Sequence, residues 1–158
     1  MQKITTFLTF QDRAEEAVQF YTSIFPDSKI LSTTRYGANS PGPERSFMIG
    51  TFRIAGQELM ALNGGPSFQF SQGISLMVNC DTQQEIDHLW EKLSEGGKQI
   101  ECGWLTDKFG VSWQIVPSIL GELITDKDPK KSQRVLQAVW QMKKLDIAKL
   151  KAAHAGKG

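Results

Sequence analysis

Cysteine and histidine are scarce in this 158-residue chain. There are two of each: Cys80 and Cys102, His88 and His154. The cysteines show no CxxC spacing, and a chain of this length needs no disulfide staples, so a reduced, cytoplasmic setting is expected. Neither charge sign is in excess. Lys plus Arg number 18 and Asp plus Glu 17, a net of +1. That balance gives no electrostatic reason to expect nucleic acid or an anionic membrane surface as partner. Long apolar runs are absent too; none approaches the roughly 20 residues that span a bilayer. The opening MQKITTFLTFQDRAEE has no basic stretch followed by an apolar one, so no signal peptide is expected. What remains is 40% hydrophobic and 22% charged. That predicts a soluble globular protein, one ordinary domain or two very small ones sharing a core.

Residues 3–10 (KITTFLTF) alternate and are rich in Thr, Ile and Phe, which predicts a strand. Residues 12–25 place Ala14, Ala17, Val18, Phe20, Tyr21 and Ile24 at helical spacing, with Asp12 as N-cap and Pro26 just beyond. A strand over 28–36, a loop over Gly37–Glu44, and strands over 45–54 and 57–63 around an Ala55-Gly56 turn complete a βαβββ module. The order then recurs. A strand is read at 73–80 and an amphipathic helix at 82–95, with Ile86, Leu89, Trp90 and Leu93 on one face. Gly96-Gly97 ends the helix, and strands follow at 98–105 and 111–116. A shift of 70 residues lays Ile4-Thr5-Thr6-Phe7-Leu8 over Ile74-Ser75-Leu76-Met77-Val78, Glu15 over Glu85 and Phe20 over Trp90. Beyond Pro117 the pattern changes. It gives a short apolar segment over 118–125, a DKDPK turn, helical residues 131–143, a last helical DIAKLKAA and a frayed HAGKG end. The chain thus reads as α+β, with modules at 1–65 and 66–117 and a helical extension at 118–158, one structural domain overall.

Four stretches carry a family resemblance: AEEAVQFYTSIFPDSKI, FRIAGQELMALNGG, TDKFGVSWQIVP and QAVWQMKKLDIAKLKAA. They resemble the PhnB-like branch of the glyoxalase/bleomycin-resistance/dioxygenase (vicinal oxygen chelate) superfamily, often labelled 3-demethylubiquinone-9 3-methyltransferase. The resemblance implies two βαβββ modules whose sheets curl into a cleft, and members that commonly pair as homodimers. It implies little about chemistry, because isomerases, dioxygenases, thiol transferases and drug binders share the fold. A methyltransferase using S-adenosylmethionine needs a glycine-rich turn between a parallel strand and a helix; Asn63-Gly64-Gly65-Pro66 has no helical pattern after it.

Active members of the superfamily hold a divalent metal through four His, Gln or Glu residues, one from each of four strands. Carried over by position, these fall at Thr5, Asn63, Ser75 and Gln114. Four neutral groups offer no charge to offset a desolvated dication, so neither a metal nor any other cofactor is expected. Thr5 and Phe7, with Ser75 and Met77, then form a neutral cleft wall, to which Trp104 and Trp113 add flat stacking surface. Arg35, Arg45 and Arg53 read as a charged sheet edge or as anchors for an anionic group. No pair of carboxylates suited to acid–base work emerges, and Cys102 has no base beside it. The expectation is a metal-free binder of a small organic ligand. The alternatives are an enzyme (lyase, isomerase or transferase) acting on a small organic or organophosphorus compound, and a module that pairs through its C-terminal helices. Whether the chain is an enzyme stays open.

Overall fold

The structure, a computed structural model, describes residues 2–157. They form two compact units that meet between Gln69 and Phe70. The first runs β1 (Thr6–Phe10), α1 (Ala14–Ile24), β2 (Lys29–Arg35), β3 (Phe47–Ile54) and β4 (Gln57–Asn63). Its sheet has the order β1-β4-β3-β2, with β1 parallel to β4 and the other pairs antiparallel. Ala14, Ala17, Val18, Tyr21 and Ile24 are the buried stripe of α1, spaced as a helix must space residues that share one face. Tyr21 stacks on Phe52 of β3, ring centroids 6.3 Å apart. Ala55 and Gly56 both have positive φ (48° and 78°), the type I′ geometry that suits a two-residue hairpin.

The start of α1 departs from the sequence reading. Asp12 is not its cap. Arg13 holds the N-cap position without a side-chain cap bond, and Asn63 Oδ1 accepts the Ala14 N–H at 2.8 Å. Because β4 runs parallel to β1, its last residue arrives beside the helix that follows β1. Asn63 Nδ2 also donates to the Phe47 carbonyl at 3.1 Å. Asn63→Ala should cost about 1–2 kcal/mol through loss of these two bonds. Urea denaturation measures it, and Asn63→Asp, which keeps the acceptor, should lose less.

The second unit repeats the order: β5 (Leu76–Cys80), α2 (Gln83–Ser94), β6 (Lys98–Gln99), β7 (Trp104–Thr106) and β8 (Ser112–Pro117). Its sheet order, β5-β8-β7-β6 with β5 parallel to β8, matches the first. The 70-residue shift lays β1 onto β5 end to end. Thr82 caps α2 by accepting from the Glu85 N–H at 3.1 Å, and Glu85 reaches back to the Asp81 N–H at 3.0 Å, a reciprocal arrangement of the capping-box kind. Gly96, at φ 73°, ends the helix as its composition implies. Cys80 is fully buried. Burial, with the charges of Glu85 and Asp81 adding to it, pushes its thiol up to about 12, so it stays protonated and inert at neutral pH.

The strand expected over 98–105 is split in two. Cys102 and Gly103 take positive φ (63° and 85°) and turn their N–H groups to the Met142 and Lys143 carbonyls, each at 2.8 Å. These carbonyls lie in the C-terminal extension, which holds α3 (Leu120–Ile124), α4 (Pro129–Trp140) and α5 (Ile147–His154). The extension is part of the second unit. Val135, Val139, Leu145 and Leu150 form its core, and Gln83 of α2 donates to the Leu145 carbonyl and accepts from the Ile147 N–H. The DKDPK segment, read as a turn, supplies the first turn of α4: Asp128 accepts from the Lys130 N–H, and Pro129 takes the first helical position. The end is also more ordered than its composition suggests. Arg134 donates to the Ala153 and His154 carbonyls, satisfying the last turn of α5, and His154 Nε2 lies 2.7 Å from Asp126 Oδ2. No helix among the described residues is long and apolar enough to cross a membrane.

Candidate functional site

Each sheet turns one face to its helix and leaves the other open. In the first unit Leu8, Phe10, Leu59 and Ala61 are buried. Strand alternation therefore sends Phe7, Thr9, Met60 and Leu62 to the open face. Phe7 is paired with Met60, and Met60 with Thr51. Phe7 is 46% exposed, and Thr5, just ahead of β1 and in phase with it, is exposed as well.

The second unit presents a more structured open face. Register aligns Met77 of β5, Gln114 of β8 and Trp104 of β7 in one row across the sheet. Gln114 Nε2 donates to Ser75 Oγ at 2.9 Å, so the amide is oriented with its carbonyl turned away from that bond. Met77 is exposed and Trp104 half-buried. Ser112, in phase with Gln114, has a buried hydroxyl without a hydrogen-bond partner among the described residues.

Two of the expected site residues lie elsewhere. Trp113 follows Ser112 and precedes Gln114, so alternation turns it to the helix side, where it is 1% exposed. Its indole N–H donates to Asp107 Oδ2 at 2.9 Å, while Asp107 Oδ1 accepts from the Phe109 and Val111 N–H groups at 2.9 and 3.0 Å. Trp113 is a core residue that fastens this turn, not part of the open wall. Asn63 is likewise on the helix side, occupied with the cap of α1. The repeat shows why: Phe7 pairs with Met60 and its counterpart Met77 pairs with Gln114, so Met60, not Asn63, stands where Gln114 stands. The sequence reading missed Met60 because it aligned only the first parts of the modules. The alternation of Leu59, Met60, Ala61 and Leu62 carried the signal.

Among the arginines, Arg35 is engaged by Glu15 through both carboxylate oxygens, at 2.6 and 3.1 Å. The hydrogen bond from Arg35 holds the Glu15 carboxyl below its ordinary range. Arg53 faces Asp27 at 3.5 Å. A pocket of about 360 Å³ at the β4 end of the first unit, which the sequence reading did not foresee, is lined by Asp12, Tyr36, Pro41, Pro43, Asn63 and Gly64. The GANSPGPE stretch registers only as a loop until Tyr36 donates to the Asn63 carbonyl at 3.0 Å and closes it.

Residues 2–116 match the family model described as 3-demethylubiquinone-9 3-methyltransferase. The chain belongs to that family. It is 43% identical to a PhnB protein of this description from Bacillus cereus, over 73% of this chain and 99% of that one, with a TM-score of 0.69. Protein YjdN of Escherichia coli K12 is 25% identical over 138 residues, 71% of this chain and 92% of YjdN. The fosfomycin resistance protein FosX of Listeria monocytogenes, solved with Mn(II) and sulfate, shares the fold at 17% identity and a TM-score of 0.54, over 73% of this chain and 92% of FosX. This PhnB-like chain therefore carries the glyoxalase/bleomycin-resistance fold.

The fold raises the question of a metal, and the donors of this PhnB-like chain do not fit one. Ser75 and Gln114 are neutral and already bonded to each other, Met60 offers only a thioether, and Thr5 is an exposed hydroxyl. Manganese and magnesium require carboxylates, and zinc requires imidazole, thiolate or carboxylate. No group of three or more His, Cys, Asp or Glu residues placed so that it could hold a metal ion occurs among the described residues.

Proposed function

We propose that this chain binds a small organic ligand without a resident metal, using its open sheet faces. The row Met77–Gln114–Trp104 carries the reading. It sets an oriented amide between a flexible thioether and an aromatic ring, a combination that grips organic molecules by packing and one or two hydrogen bonds. The methyltransferase description of the family finds no support in these residues. The strand-to-helix turns are Gln11-Asp12-Arg13, Asp81-Thr82 and Ser118-Ile119, without glycine, and Gly64-Gly65 leads into no helix.

A thermal-shift screen of the purified protein against a broad library of small organic compounds tests the reading. At a hundredfold excess over Kd a true ligand adds about 2.7 kcal/mol to stability, a rise of several degrees in Tm. A screen without a single saturable rise would remove the reading and leave the chain as a partner-binding module. A cytoplasmic homodimer belongs to the same proposal. The exposed Trp140 on α4 supports pairing, and light scattering that returns a monomer mass at micromolar concentration would overturn it.

A further inference from the structure

We infer that the pocket at the β4 end of the first unit is a binding site of its own, and that it takes a small organic cation, an amine carrying a compact apolar body. The site is separate from the open sheet faces, since Asn63, which lines it, lies on the helix side of its sheet. Its volume of about 360 Å³ falls in the range of small-molecule sites. The charge comes from Asp12, the one charged side chain of the lining. Its residue type suits it to cap α1, but Asn63 Oδ1 holds the Ala14 N–H and Arg13 stands at the N-cap position. Displaced from that task, the Asp12 carboxylate has no ion pair and no hydrogen bond among the described residues. Charges just outside the pocket offset one another: Arg13 pairs with Glu16, Arg35 pairs with Glu15, and Glu44 adjoins Arg45 in sequence. The pocket therefore keeps one negative charge of its own.

Tyr36, Pro41, Pro43 and Phe47 supply the apolar part of the wall. Gly42 sits so close to the Tyr36 ring that a Cβ there would overlap it, and the Tyr36 hydroxyl ties the loop to the end of β4 by donating to the Asn63 carbonyl at 3.0 Å. Many of the wall's donors are spent. The Gly64 and Gly65 N–H groups go to the Phe10 and Gln11 carbonyls, and those of Tyr36 and Ser46 go to the Ser46 and Pro43 carbonyls. The Ser46 hydroxyl also donates to the Pro43 carbonyl, and the two prolines have no N–H to give. The Gln11 and Asn63 amides each donate once and keep a second N–H. Hydrogen bonding alone therefore admits a neutral ligand as readily as an amine, and charge decides between them. A carboxylate or phosphate would be repelled by Asp12. A protonated amine would gain it as a counter-ion while the hydrocarbon part packs on the rings and prolines. Because Asp12 is exposed, that pairing is moderate, about fivefold in affinity.

Benzylamine, benzyl alcohol and benzoate share one ring and differ in charge, so they serve as probes, titrated at neutral pH into ¹⁵N-labelled protein. The backbone signals of Gly42, Gly64 and Gly65 report on this pocket, and the Trp104 indole signal reports on the open face of the second unit. Benzylamine should move the glycine signals and bind about fivefold more tightly than either of the other two. Asp12→Asn should bring benzylamine down to the affinity of benzyl alcohol while the variant stays folded, because Asp12 caps no helix. Benzoate or benzyl alcohol binding as tightly as benzylamine would overturn the inference. So would a benzylamine preference that survives Asp12→Asn, or glycine signals that benzylamine does not move. Movement of the Trp104 signal alone would also overturn it, and would leave the open-face reading standing.

Discussion

Asp107→Ala should destabilise the protein by about 3 kcal/mol or more, which urea denaturation would register as a lower midpoint. Asp107 is 2% exposed. It accepts the Trp113 indole N–H and the backbone N–H groups of Phe109 and Val111. Truncation would leave two buried donors, the Trp113 indole and the Val111 N–H, and a partly buried one at Phe109 without partners, and an unmet buried donor costs about 1–3 kcal/mol. Trp113→Phe should cost less than Asp107→Ala, because it deletes one donor together with its need and leaves the two backbone bonds intact. If Asp107→Ala left the midpoint where it was, the turn before β8 would not be what positions Ser112 and Gln114.

Leu145→Ala should cost about 2–5 kcal/mol, the range for removing a buried leucine side chain that neighbours cannot replace. Leu145 is fully buried with Val135, Val139 and Leu150. It packs against Gly103 so closely that a Cβ there would lie 3.0 Å from Leu145 Cδ1. Gln83 bonds its carbonyl from α2, so the lesion would loosen the seam between the C-terminal helices and the second module. Calorimetry should find a lower Tm. Hydrogen exchange should find α4 and α5 opening before β8.

Much of this architecture was legible because it follows from local chemistry. The strand over 57–63 and the helix end at Gly96 appear where alternation and composition put them, and the 70-residue repeat holds from β1 to β5. What escaped was set by distant contacts. No local pattern reveals that Asn63 caps a helix 49 residues earlier, or that the Met142 and Lys143 carbonyls break a strand at Cys102-Gly103. Trp113 is different. Its orientation was legible, since a residue next to Gln114 must face away from it. The aromatic ring suggested stacking, and the phase of the strand outweighed it. The neutrality of Ser75 and Gln114 was legible in full, because neither side chain carries a charge wherever it points.

The claim on which the rest depends is that the hydroxyl, amide, thioether and indole groups of the second unit's open face have no grip on a divalent cation. The most direct test is the metal content of protein purified without chelator and then dialysed against micromolar Mn²⁺, Zn²⁺ and Ni²⁺, read by mass spectrometry of the metals. The account expects well under one metal per chain for each, with no change on Gln114→Ala. One equivalent of metal that is lost on Gln114→Ala would contradict it.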